Sequence, residues 1–269
     1  MPVLPRLRHA VAAAAVLVLA AAPARAQTWT LLHEFKFTTD LASSVNPAVT
    51  GTLVGAASLV DGALRVGGAS GYAQYAALIP AVSDWNSSRW SVSVWARQRV
   101  AQTAGDVTIV GQGVESGFSE EYQLGLSSAG KAVTRNRSGW AGGAFGTNAL
   151  TPGTWHHYTT VMFDNGAVLY VDGVLQPVGA AGFYYPCCYY GGSMRVGRQV
   201  STTGQQFDGD IDDLRIYRGV FDQASITAQY QAGRTGADGL SVAPEPATLG
   251  MLGTGVALLV TAVRRRRAG

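Results

Sequence analysis

The segment Phe207-Asp-Gly-Asp-Ile-Asp-Asp-Leu-Arg-Ile-Tyr217 holds four acids within six positions. On a strand Asp208, Asp210 and Asp212 fall on one face. Carboxylates grouped at a rigid turn suit a hard cation such as calcium, and they equally suit a solvated turn. An EF-hand does not fit, because position 213 is Asp where Gly is needed and position 219 is Gly where Glu is needed. Glu120 and Glu121 are neighbours on an expected strand and diverge, so they cannot flank one glycosidic bond at the about 5–5.5 Å that retaining hydrolysis requires. His156 and His157 are adjacent and point to opposite faces, so they cannot share one metal or proton; one is expected to pack beside Trp155 or Tyr158 and the other to be solvated. The chain has no Gly-x-Ser-x-Gly elbow, no His-Glu-x-x-His and no phosphate-cradling loop with Lys. Nucleophilic hydrolysis therefore has no support.

The loop Gly182-Phe-Tyr-Tyr-Pro-Cys-Cys-Tyr-Tyr-Gly-Gly192 sets Tyr184, Tyr185, Tyr189 and Tyr190 around Cys187 and Cys188. Tyrosine joins a flat apolar ring to a hydroxyl, which suits sugar rings and protein surfaces alike. The alternative is a loop folded onto the domain with its rings partly buried. Neighbouring Cα atoms lie about 3.8 Å apart, shorter than the about 4.4–6.8 Å of an ordinary bridge. Cys187 and Cys188 are thus expected either in a strained vicinal disulfide or in bridges between chains.

The elements that must hold these residues are mostly strands. Trp90-Ser-Val-Ser-Val-Trp-Ala-Arg97 alternates, with Val92, Val94 and Ala96 on one face and Ser91, Ser93 and Trp95 on the other. Thr154–Phe163 and Ala167–Val171 flank Asp164-Asn165-Gly166, a strong hairpin signal, and Asp61-Gly62 and Asp172-Gly173 mark further turns. Other strands are expected at Leu31–Phe37, Tyr72–Leu78, Val107–Gly111, Tyr122–Leu126, Met194–Gly197 and Ile211–Tyr217. One helix follows, with Asp222 as N-cap, Phe221 and Ile226 as a hydrophobic staple, Ile226 and Tyr230 on one face, and Gly233 closing it. Many short strands, glycine-rich turns and one short helix indicate an all-β, two-sheet jelly-roll sandwich.

Both ends read as addresses. Arg6, Arg8 and His9, the apolar run Ala10–Ala22 and Ala24-Arg-Ala26 form a secretory signal at 1–26, too short to cross about 30 Å of hydrocarbon. Residues 27–232 form the domain and 233–243 a linker. The C-terminal part, 244–269, opens with Pro244-Glu245-Pro246, continues in an uncharged transmembrane helix at 247–263 and closes in Arg264–Arg267, which would hold that end in the cytoplasm. Without the two ends, residues 27–243 carry 13 basic and 16 acidic groups, and the chain has only two lysines. A mildly acidic body excludes broad nucleic-acid binding. Apolar content of 47% with clear periodicity excludes a disordered chain.

The C-terminal arrangement resembles the PEP-CTERM sorting signal. That resemblance implies a Gram-negative host making extracellular polysaccharide, an exosortase-type processing protease, and membrane attachment through the helix before processing. The order Trp90–Trp95, Thr154-Trp-His-His-Tyr158, Leu169-Tyr-Val-Asp-Gly173 and Phe207–Tyr217 resembles laminin-G-like, concanavalin A-like domains over about residues 30–232. In many of these an aspartate entering the last strand helps bind a structural calcium ion. Asp212 matches that position, and the Asp40 region would lie beside it. Laminarinase-like enzymes share the sandwich, but their Glu-x-Asp-x-Glu pattern is absent here. The expectation is a non-enzymatic domain at the cell surface, in the envelope or in the extracellular matrix. It would bind a carbohydrate or another matrix component. The alternatives are a structural or protein-adhesion module and a glycan-active hydrolase or lyase.

Overall fold

Residues that alternate in the sequence form strands, and turns rich in Asp and Gly join them. The computed structural model describes residues 29–68, 70–79, 89–101, 105–114, 120–135, 143–163, 166–177, 192–200 and 205–234. The expected signal peptide, the loop carrying Tyr184, Tyr185, Cys187, Cys188, Tyr189 and Tyr190, and the Pro244–Pro246 motif with its helix lie outside the described residues. In chain order the strands are β1 (Trp29–Phe35), β2 (Thr52–Val54), β3 (Ser58–Val60), β4 (Ala63–Val66), β5 (Tyr72–Ala76), β6 (Trp90–Gln98), β7 (Val107–Gly113) and β8 (Glu120–Leu126). They continue with β9 (Lys131–Arg135), β10 (Gly143–Ala149), β11 (His156–Phe163), β12 (Gly166–Val171), β13 (Val174–Leu175), β14 (Ser193–Val196) and β15 (Gly209–Gly219), and α1 (Gln223–Arg234) follows.

Two antiparallel sheets pack face to face. The first has the order β13-β12-β11-β6-β15-β4-β3, with β1 also paired to β15; the second has the order β10-β9-β8-β7-β14-β5-β2. Val92, Val94 and Ala96 of β6, Ile211, Leu214 and Ile216 of β15, and Leu169 of β12 enter the core between them. From the second sheet Ile109, Tyr122, Leu124, Met194 and Val196 meet them, and Trp90 lies edge-on against Tyr122 at 4.8 Å. Each fully buried aliphatic side chain contributes about 1.5–3 kcal/mol.

The turns follow their chemistry. Asp61 and Gly62 have φ of 53° and 78°, Asp172 and Gly173 have 52° and 78°, and each pair closes a two-residue hairpin. Phe163 pairs with Gly166, so a hairpin forms where the Asn-Gly signal predicts one, but Gly166 is the first residue of β12 instead of a turn residue. At the far end the Asp222 carboxylate accepts the Ser225 N–H at 2.8 Å, the expected cap. Phe221 and Ile226 share a second apolar cluster with Val161, Tyr170 and Tyr217 on the outer face of the first sheet.

Several boundaries differ from expectation for identifiable reasons. The first strand ends at Phe35, and Phe37 takes a positive φ of 52°. The strand expected over Tyr72–Leu78 stops at Ala76, because the N–H groups of Leu78 and Ile79 donate to the Gln112 side chain instead of a ladder. The strand expected from Thr154 begins at His156. The short strands β2, β3, β4 and β13 carry too few residues to show a period, and β9 and β10 were likewise not anticipated. Gly233 does not close the helix. It sits in the last turn of α1, where a Cβ would lie 2.6 Å from Trp95 ring atoms, so its missing side chain lets helix and sheet approach.

Candidate functional site

The closing strand gathers the chemistry foreseen in the sequence onto the outer face of the first sheet. Ile211 points into the core, so Asp210 and Asp212 point outward. Trp95 stands opposite Asp212, and His157 stands opposite Trp95, so three strands place one row across the face. Between Asp212 and Arg215 the pairing with β6 shifts by one residue, and Asp213 at this bulge has φ of 47°. Here β15 also changes neighbour, from β4 to β1.

Most of these acids are tied to arginines. Asp210 is buried and accepts from Arg65 Nε and from Arg97 Nη2, each at 2.8 Å. Burial alone would raise its pKa, but the two guanidinium groups hold it below the ordinary carboxylate value. Arg97 also lies over the Trp155 ring at 5.0 Å. Asp208 accepts from Arg99 Nε at 2.8 Å. Glu34 accepts from Arg215 Nε at 2.9 Å and from the Ser44 hydroxyl, and its pKa is lowered because these bonds outweigh burial.

Asp212 is the exception. It is 6% exposed, and its Oδ1 accepts the backbone N–H of Asp213 at 2.7 Å. Burial, reinforced by the neighbouring Asp213 charge, pushes its pKa up to about 7. Asp213 rises to about 6, mainly by burial and with Glu34 adding, although Arg215 Nη2 lies 3.2 Å from its Oδ2. Asp40 sits on an exposed turn where its Oδ1 accepts the Ala42 N–H at 2.9 Å, and its charge is felt by Tyr75. Among the described residues no group of three or more His, Cys, Asp or Glu is placed to hold a metal.

One histidine packs on aromatics as expected, but on Trp95 and Tyr230 instead of Trp155 or Tyr158, and the other, His156, is half-buried instead of solvated. His157 is 1% exposed, lies 5.1 Å from the Trp95 ring and stacks at 6.3 Å on Tyr230 of α1. Neither ring nitrogen has a hydrogen-bond partner among the described residues, and burial, helped by the Arg215 charge, pushes its pKa down to about 3. His156 Nδ1 lies 2.7 Å from Asp172 Oδ2, while Asp172 Oδ1 accepts the backbone N–H of His157 at 2.9 Å. The turn aspartate of the β12–β13 hairpin therefore ties down the start of β11.

A second cluster, on the outer face of the second sheet, has no counterpart in the sequence reading. The guanidinium carbons of Arg195 and Arg198 lie 4.9 Å and 5.3 Å from the centroid of one ring, Tyr72. Nothing local in the sequence signals it, because Tyr72 and Arg195 meet only through the β5–β14 pairing.

Comparison with known proteins agrees with this architecture. Residues 67–227 match the family described as the concanavalin A-like lectin/glucanases superfamily, and residues 242–267 match the PEP-CTERM protein-sorting motif. No curated protein matches the chain. Domain 4 of AbnA, a GH43 extracellular arabinanase from Geobacillus stearothermophilus, solved with arabinotriose, is similar over 75% of this chain and 98% of that one, at 21% identity and a TM-score of 0.56. Trypanosoma rangeli sialidase in complex with sialic acid is similar over 77% of this chain, at 17% identity and a TM-score of 0.59, and this chain spans about a third (34%) of that enzyme. The receptor-binding domain of botulinum neurotoxin C/D mosaic serotype is similar over 75% of this chain and 51% of that one, at 11% identity and a TM-score of 0.57. At these identities the likeness is one of fold.

Proposed function

The chain belongs to the concanavalin A-like lectin/glucanases superfamily, and on that footing we propose that it is an exported surface domain that binds a carbohydrate of the extracellular polysaccharide matrix without cleaving it. The observation that carries this reading is the state of the closing-strand carboxylates. Asp208 and Asp210 are held by Arg99, Arg65 and Arg97, and Asp212 is buried, so this acid-rich face offers no open pair to flank a glycosidic bond. The similar arabinanase domain, solved with arabinotriose and covered over nearly its whole length, supports a sugar as the ligand class. Tyr184, Tyr185, Tyr189 and Tyr190 are the proposed contact residues, with a disulfide at Cys187 and Cys188 shaping their loop. One calcium ion at Asp212, with Asp40 as a further candidate ligand, would stabilise the sandwich. An exosortase-type protease would process the chain at Pro244-Glu245-Pro246, ending its attachment through the C-terminal helix.

A protein-adhesion role is the second reading. The edge strand β13 exposes Val174 and Leu175 at 63% and 50%, an apolar edge open to a partner. A polysaccharide panel separates the classes. Retention without turnover is expected for the lectin, released oligosaccharide would mark an enzyme, and silence in both assays would favour adhesion.

A further inference from the structure

Tyr72 of β5 and Arg195 of β14 share the outer face of the second sheet, because Ala73, Met194 and Val196 point into the core. Arg195 is buried, and its Nη1 donates to the carbonyls of Gln199 and Val200 at 3.2 Å and 2.9 Å, which fastens the loop after β14. That loop carries Arg198, half-buried, over the same tyrosine ring. The Gln206 side-chain amide donates to the carbonyls of Gly71 and Gly197, both at 2.7 Å. These residues immediately precede Tyr72 and Arg198, so one amide fixes ring and guanidinium relative to each other.

Arg198 makes no hydrogen bond or ion pair with another described residue, and its Nε is buried without a partner. A half-buried guanidinium is partly desolvated, and the cation–π contact with the Tyr72 ring is the interaction that the described residues give Arg198. An oxyanion would meet the guanidinium at its Nη groups, which are not among the buried unpartnered atoms, since a guanidinium presents its donors as a planar fork. Four other arginines on the described surface meet carboxylates: Arg65 and Arg97 at Asp210, Arg99 at Asp208, Arg135 at Asp106.

We propose that Arg198, fixed over Tyr72 beside Arg195, is a receptor for an oxyanion of an acidic polysaccharide, either a uronate carboxylate or a sulfate ester. The inference rests on the glycan reading above for the polymer and adds its charge. Arg198 supplies the contacting charge, and Gln206 and Arg195 position it.

Binding of the full-length chain to polygalacturonate, dextran sulfate and neutral dextran tests this, with wild type, Arg198→Gln and Arg198→Lys compared. Wild type is expected to bind at least one of the charged polymers more tightly than dextran, with affinity falling as salt rises. Arg198→Gln should lose about tenfold or more, the size of one charge-assisted contact, with an unchanged melting temperature and unchanged dextran binding. Arg198→Lys should keep part of the affinity, because it retains the charge without the fork. Preference between the two charged polymers identifies carboxylate or sulfate. Equal binding by Arg198→Gln overturns the site. Wild-type binding to dextran alone overturns it while leaving the glycan reading intact, and binding to none of the three overturns it together with support for glycan binding.

Discussion

Asp212 stands directly opposite Trp95 across the β15–β6 pairing, buried, with a hydrogen bond from the Asp213 N–H in place of the arginine contacts its neighbour Asp210 enjoys. Its pKa of about 7, against 3.8 normally, means that the native state holds a proton the unfolded chain has already released. Stability from this group is present below about pH 4 and is lost as pH rises toward 7. Asp212→Asn carries no such loss, so its melting temperature should gain on wild type steadily across that window. Millimolar calcium should raise the wild-type melting temperature at pH 7 and leave the variant unmoved, because a cation favours the ionised form. A pH-independent difference between the two proteins would reject the raised pKa, and no calcium response after chelation would reject the ion.

His157 acts with the opposite sign. Its pKa of about 3, against 6.5 normally, reflects burial between Trp95 and Tyr230 with Arg215 nearby, partly opposed by Asp172. The unfolded chain takes up the proton first, so stability is lost as pH falls from about 6.5 toward 3. His157→Phe should flatten this acid limb in urea titrations between pH 3 and pH 7. The window of His157 overlaps those of Asp212 and Asp213, which act with the opposite sign, so the wild-type profile is expected to be shallower than either limb, and the variants separate them. An acid limb unchanged in His157→Phe would show that another group controls it.

Gly233→Ala sets helix propensity against packing. Alanine favours a helix by about 1 kcal/mol over glycine. At this position its Cβ would lie 2.6 Å from Trp95 atoms, and that ring is itself held by His157 and Tyr230. Overpacking costs about 1–3 kcal/mol. A fall in melting temperature is therefore expected, and a rise would mean that the end of α1 can lift from the sheet at little cost.

The tyrosine loop separates binding from packing. As a binding platform, Tyr185→Ala or Tyr189→Ala should weaken glycan binding by about 1–3 kcal/mol with the fold intact. As packing, each change should cost about 3–5 kcal/mol of stability. Calorimetric melting measured beside glycan retention reads both quantities, and lost stability with unchanged retention would exclude the platform.

Local features were legible in the chain before any fold was known. Alternation placed β6, β11 and β15, Asp-Gly pairs placed two hairpins, and Asp222 capped the helix where expected, since each depends on interactions across a few residues. The partners of the acids were not legible. Arg65 and Arg97 meet Asp210 from 145 and 113 residues away, and Arg215 meets Glu34 across 181. Any of 13 basic groups in the body could have paired with any acid. The choice follows from register, because burying Val92, Val94 and Ile211 in one core brings their outward neighbours together on the other face. The same packing made His157 a buried neutral group, because α1 covers a strand face that the local sequence would equally leave to water.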